Sequence, residues 1–258
     1  MKRILNCIPS KNTEKDWGIR AALCGADMSL FECITQSVPE RVDLRADWWE
    51  IGDQRATGSC VGWASADSVL RWHFTQANKI NQGEQLSVRY VWMAAKETDE
   101  FGDRPTSFIE SDGTSLKAAL DVARKYGVVK ADVLPFVSGM YPGETDDFYS
   151  LASQMRIAAY FNLGRSQDTW RTWLDTHGPI LTRLNVDPVW MNCGKSGLLD
   201  AYQPLVVYGG HAVALVGYTP DRFIVRNSWG KTWGNDGFAY ASLSYAAEAF
   251  DEAYGVTI

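Results

Sequence analysis

Two periodicities divide this chain. From Cys60 the residues Trp63, Ala66, Leu70 and Phe74 recur at spacings of three, four and four, which puts them on one face of a helix with the cysteine at its amino end. Ser87 can cap a second helix running to about Glu97. Thr114 or Ser115 can cap a third, with Leu116, Ala119, Leu120 and Ala123 inward and Gly127 as its stop. Beyond that point the apolar runs shorten to strand length, at 157–161, 180–186, 212–218, 222–226 and 237–241. Thr219-Pro220-Asp221 supplies a hairpin turn, and residues 166–177 read as one helix among the strands. A helical half followed by a mainly antiparallel half is an α+β pattern with two unlike subdomains, about 54–135 and about 136–245.

With 258 residues, of which 46% are apolar and 12% aromatic, the chain can bury a sizeable core. Its formal charge of −6 opposes nucleic acid and anionic membrane surfaces. Apolar runs such as 203–207 and 212–216 fall far short of the ~20 residues of a membrane span. The amino end carries Lys2 and Arg3 but meets Ser10, Lys11 and Asn12 before an apolar region develops, so it does not read as a secretory signal, and the chain is expected to be cytoplasmic or exported without a leader. Five cysteines leave at least one thiol free, and none makes a CxxC or other metal spacing. Neither metal nor cofactor is expected, and oligomeric state is open.

Chemistry concentrates in two strings. Gly58 and Ser59 precede Cys60, so the sulfur sits where free backbone N–H groups and the helix dipole favour an anion. Taken alone, such a cysteine reads as a small buried hydrophobe. The second string changes that. Gly209-Gly210-His211-Ala212 starts a strand, and Val225-Arg226-Asn227-Ser228-Trp229-Gly230 follows on its hairpin partner, so His211 and Asn227 are expected side by side. An Asn carbonyl can accept the imidazole N–H and turn the other ring nitrogen toward the thiol. His73 and His177 read instead as solvated or as complementing helix dipoles.

These strings resemble the papain-like cysteine peptidases. The resemblance runs from Val42-Asp43-Leu44-Arg45 through Gln54, Leu86-Ser87, Asp112-Gly113-Thr114, Tyr126-Gly127-Val128, Gly178-Pro179-Ile180 and the Gly-His-Ala segment. It ends in the most specific string, Asn227-Ser228-Trp229-Gly230-Lys231-Thr232-Trp233-Gly234 followed by Gly237. Three positions depart from the family pattern: Thr57 stands where a disulfide cysteine is usual, Val61 where an aromatic is usual, and Gly210 where an Asp is common.

The resemblance implies a two-subdomain papain-like fold over residues 41–258 with the cleft between helical and β subdomains, and hydrolysis of peptide or protein substrates through a Cys60 thioester. It implies Cys60 as nucleophile, His211 as general base and then acid, Asn227 as the orienter of His211 and Gln54 as an oxyanion donor, with Trp229 covering the His–Asn pair. It also implies Gly113, Thr114 and Ala212 along the substrate, and Arg183 near the main specificity pocket, where a guanidinium would suit an acidic side chain. For Arg183 a pairing with Asp187 or exposure to solvent is the competing reading. Acyl or peptidyl transfer, a narrow amidase activity, and a catalytically silent binding protein are alternatives on the same scaffold. Residues 1–40 are too few for the family's helical propeptide and too apolar for a solvated tail. They are expected to pack on the body, either occluding the cleft or strapping the surface.

Overall fold

Ser87, Ser115 and Ser166 decide where three helices begin. Each hydroxyl accepts the N–H three residues on, from Tyr90 at 3.0 Å, Ala118 at 3.2 Å and Thr169 at 3.3 Å, opening helices Val88–Thr98, Leu116–Lys125 and Gln167–Thr176. Ser115, not Thr114, is therefore the cap of the middle one. Gly127 takes φ +93° after it, as a helix stop requires. The computed structural model describes residues 3–25, 38–99, 106–138 and 141–258.

The helix beginning at Cys60 runs in three registers, Cys60–Gly62, a π-helical Trp63–Leu70 and Arg71–Gln76. Every residue from Ala64 to Leu70 is buried, because this helix threads the interior between its neighbours instead of lying on a surface. At Gly62 a Cβ would crowd the Val88 carbonyl and the Trp92 side chain, so the glycine sets how closely the Val88–Thr98 helix approaches. His73 on this helix is buried, which corrects the reading of a solvated imidazole, and His177 stacks on Trp173 at 4.2 Å between ring centroids.

The strands form one sheet, drawn mostly from the second half: β1 (Val42–Asp43), β2 (Ala159–Asn162), β3 (Ile180–Val186), β4 (Leu198–Leu199), β5 (Gly209–Tyr218), β6 (Arg222–Arg226), β7 (Phe238–Ser242) and β8 (Phe250–Thr257). Their spatial order is β2-β8-β3-β5-β6-β7-β4, with β1 paired to β5, and all pairs are antiparallel except β4 with β7. Strand β5 serves two cores by its alternation. Ala212, Ala214 and Val216 join the cluster built around the helices, while Val213, Leu215 and Tyr218 join the one with Trp170, Trp173 and Trp190. Continuous burial along β5 follows from both faces being covered.

Three elements beyond the sequence reading complete the body. The helix Leu243–Ala249, capped by Ser242, leads into β8, which inserts between β2 and β3 and carries the sheet past residue 245. A helix over Thr145–Ser153 packs Phe148 and Ala152 into the helical core.

The amino-terminal residues pair with Gly210 and Thr114 and then cross the sheet edge. Ser10 N–H donates to Glu252, Tyr254 Oη donates to Asp16, and the Trp17 carbonyl accepts from Asn162 before the short helix Ile19–Gly25. Of this segment's apolar residues, Met28, Leu30, Phe31 and Ile34 lie outside the described residues, as does the side chain of Leu23.

Candidate active site

Cys60 opens the central helix with its side chain fully buried. The preceding Ser59 hydroxyl lies 2.7 Å from that of Thr57 and does not cap the helix, so it leaves the first-turn N–H groups to other acceptors. His211 enters from β5 on the other side, and its Nε2 is 2.8 Å from Asn227 Oδ1. The same Asn oxygen accepts the Ser228 N–H at 2.8 Å, which fixes the amide plane. His211 Nδ1 lacks a well-aligned hydrogen bond but stands next to the Cys60 sulfur, a loose geometry of the kind resting active sites often show.

The thiol of Cys60 is held well below the ordinary cysteine value. The largest cause is a hydrogen bond from the Cys7 thiol; the imidazole of His211 and the backbone N–H of Ala212 act in the same direction, against burial, which opposes ionisation. Cys7 moves the opposite way, pushed up by its own burial and by donating to Cys60. The two neighbouring thiols thus shift in opposite directions, Cys60 down and Cys7 up.

An aromatic box closes over the His–Asn pair. Trp229 lies 5.1 Å from the His211 ring and Trp190 5.7 Å from it, with Trp233 packed 4.7 Å from Trp190. Water is thereby kept from competing for the hydrogen bond. Trp190 was not among the residues singled out from sequence, because it reaches the box from a short helix, Pro188–Met191, that has no local motif.

Gln54 is fully buried and its orientation is imposed by its oxygen. Oε1 accepts from Ser228 Oγ at 3.0 Å and from Trp229 Nε1 at 3.2 Å, so the amide nitrogen faces the cleft. There Nε2 donates to the carbonyls of Thr57, at 3.0 Å, and Ile4, at 3.3 Å.

Gly113 and Thr114 form the opposite wall, and the chain's own amino-terminal segment lies between the walls. Cys7 N–H donates to Gly210 O and Ile8 N–H to Thr114 O, both at 3.0 Å, and Asn6 bridges Gly210 in parallel register. The glycines of the trough explain themselves here: a Cβ at Gly113 would run into the Asn6 carbonyl, one at Gly209 into that of Leu5, and one at Gly210 into that of Cys7. Arg3 anchors the far end through Asp53, the Arg55 carbonyl and the Trp229 carbonyl, with its guanidinium 5.6 Å from the Trp229 ring.

Arg183 lies beside this trough with its charge already matched. It pairs with Asp251, and its Nε donates to the Cys7 carbonyl at 3.0 Å. Pairing with Asp187 is thereby corrected: that carboxylate caps the Pro188–Met191 helix and accepts from Tyr245 Oη at 2.7 Å. Behind the site, Arg226 joins the two halves. It reaches across from β6 to Asp67 at 2.9 Å and sits 4.8 Å from the Trp49 ring, directly before Asn227 in the chain. Removing one partner of such a buried pair typically costs about 3–5 kcal/mol.

Comparison with known proteins gives the family and the fold. Residues 38–250 match the family model described as papain family cysteine protease. Cysteine proteinase B of Leishmania mexicana is 28% identical over 218 residues, covering 77% of this chain and 45% of that protein. Cathepsin B-like CP2 of Giardia intestinalis is 27% identical over 218 residues, covering 78% and 68% respectively. The chain thus spans less than half the length of the Leishmania relative. Among solved structures, xylellain, a cysteine protease from Xylella fastidiosa, superposes with a TM-score of 0.78 at 20% identity, covering 99% of this chain and 96% of that one. Procathepsin B S9 of Trypanosoma congolense superposes at 0.72 with 18% identity, covering 99% and 86%. These likenesses establish the papain-like two-subdomain fold, and with the family match over most of its length this chain belongs to the papain family of cysteine proteases.

Proposed function

We propose that the chain hydrolyses peptide bonds through a Cys60 acyl-enzyme, and that residues 3–8 hold it latent by lying in the cleft. The observation that carries the first part is the depressed Cys60 thiol beside a His211 ring whose far nitrogen is held 2.8 Å from Asn227. In this reading the thiolate attacks the carbonyl carbon, and the oxyanion is met by Gln54 Nε2 and the Cys60 backbone N–H. His211 gives its proton to the leaving amine. It then draws a proton from water, which attacks the thioester and frees the enzyme. Asn227 keeps the imidazole in the required orientation throughout.

Latency is supported by three features of the amino-terminal segment. Its Ile4 carbonyl occupies Gln54 Nε2, its Cys7 and Ile8 N–H groups pair with Gly210 and Thr114, and its Cys7 thiol covers Cys60. A substrate backbone would use the same Gly113-Thr114 wall and the same Gly210 and Ala212 edge, so segment and substrate exclude each other. Departure of the segment would also strip Arg183 Nε of the Cys7 carbonyl, leaving a buried donor for a substrate carboxylate.

A peptidyl epoxide tests the peptidase reading directly. Mass mapping is expected to find Cys60 alone alkylated, with labelling slowed by peptide substrate. Labelling spread over Cys7 and Cys193 with no effect of substrate would overturn it.

A further inference from the structure

Cys7 stands out among the residues that fill the cleft, because occlusion alone does not need a thiol there. Its backbone N–H is fixed to Gly210 O at 3.0 Å and its carbonyl accepts from Arg183, and its thiol is pushed up by burial and by the neighbouring Cys60 sulfur. Cys60 is set against the same stretch of β5 through Ala212. Both thiols are buried, at 2% and 0% exposure, and both lie in the core cluster that includes Ala212. Both thiols are carried on anchored backbones beside the same stretch of β5, the arrangement from which the ~2.05 Å bond of a disulfide can close.

We propose that Cys7 and Cys60 form a reversible disulfide when the protein meets peroxide, locking the amino-terminal segment into the cleft until a thiol reductant releases it. The inference rests on the reading that this segment occupies the cleft. Its chemistry balances with hydrogen peroxide as oxidant. The Cys60 thiolate attacks one peroxide oxygen, the O–O bond breaks, and the departing hydroxide takes the proton held by His211 to become water. Cys60 is now a sulfenic acid. The Cys7 sulfur attacks the Cys60 sulfur, the S–O bond breaks as S–S forms, and the released hydroxide takes the Cys7 proton as a second water. Two thiols lose two hydrogens and one peroxide becomes two waters.

Charge distribution fits this division of labour. The downward shift of Cys60 suits it to attack and the upward shift of Cys7 suits it to resolve. Cys193, whose thiol burial pushes up to about 11, stays protonated and out of the exchange. The arrangement would also spare the nucleophile: a sulfenic acid captured by a neighbouring thiol does not advance to the irreversible sulfinic state.

The full-length chain, treated with a few equivalents of hydrogen peroxide, provides the test. Trypsin releases residues 4–11 and 56–71, each with one cysteine, so the bond is read as a single joined peptide that separates on reduction. Activity is expected to fall in step with that peptide and to return with dithiothreitol. In Cys7→Ser the same treatment is expected to leave Cys60 as sulfinic acid, with the recoverable activity at least about fivefold lower than in the wild type. Cys60 recovered as sulfinic acid with Cys7 unmodified in the wild-type chain, or joined to any other cysteine, overturns the inference. Deleting residues 2–8 separates this from the reading beneath it. A gain in kcat/KM on deletion with no joined peptide in the wild type sinks the disulfide alone; no gain and no joined peptide sinks both.

Discussion

The Ile4 carbonyl oxygen lies 3.3 Å from Gln54 Nε2. In the function proposed above Gln54 Nε2 is the side-chain donor to the developing oxyanion, and a residue fifty positions upstream occupies it. A resting enzyme would leave that donor to water or substrate, so the contact makes the state of the amino terminus part of the catalytic question.

Deleting residues 2–8 is expected to raise kcat/KM on a short peptide at least about tenfold, which is about 1.4 kcal/mol and corresponds to one or two net hydrogen bonds. Steady-state kinetics on the two chains checks this, alongside thermal melting. A lower Tm with no kinetic gain would make the segment a strap.

Substitutions in the site should grade by what each group touches. Cys60→Ala removes turnover with the fold intact. Gln54→Ala is expected to lower kcat by about a hundredfold or more, the usual loss for one oxyanion donor. Asn227→Ala should weaken activity and spare part of it, because His211 keeps its place through the tryptophan box. Residual turnover in Cys60→Ala at the wild-type level would sink the mechanism.

Arg183→Ala is expected to change the ranking of peptides carrying Glu, Leu or Phe two residues before the cut, with Glu losing most. The argument is the Nε donor that the Cys7 carbonyl now occupies. Equal effects on all three substrates would confine Arg183 to holding Asp251 and the segment.

His73 should contribute acid sensitivity. Burial, with a smaller effect from His177, lowers its pKa from 6.5 to about 4, and its Nε2 has no partner. A base with a depressed folded pKa favours the native state above the unfolded value, and that stability is lost as pH falls from about 6.5 toward 4. The full loss is about 3 kcal/mol. Urea unfolding of His73→Leu at several pH values is expected to show a shallower decline over that window than the wild type, and an unchanged slope would exclude this origin.

Much of the fold was legible because it depends on near neighbours, while the candidate site was read from motifs that resemble the papain family. A helix start follows from Ser-x-x spacing and a cysteine behind small residues. The His211 and Asn227 pair follows from a hairpin, and the strand and helix periods told the two halves apart. Strand β8 was hidden for a physical reason: Asp251 and Glu252 interrupt its apolar pattern, and Gly255 weakens it further, yet the glycine is needed because a Cβ there would run into Trp173. What only the tertiary structure decided is everything that joins distant segments. Ile4 on Gln54, Cys7 on Cys60, Arg183 on Asp251 and Arg226 on Asp67 are contacts between residues 50 to 159 positions apart. No periodicity records such pairings, because they are selected by the register and packing of elements that each satisfy their own local rules first.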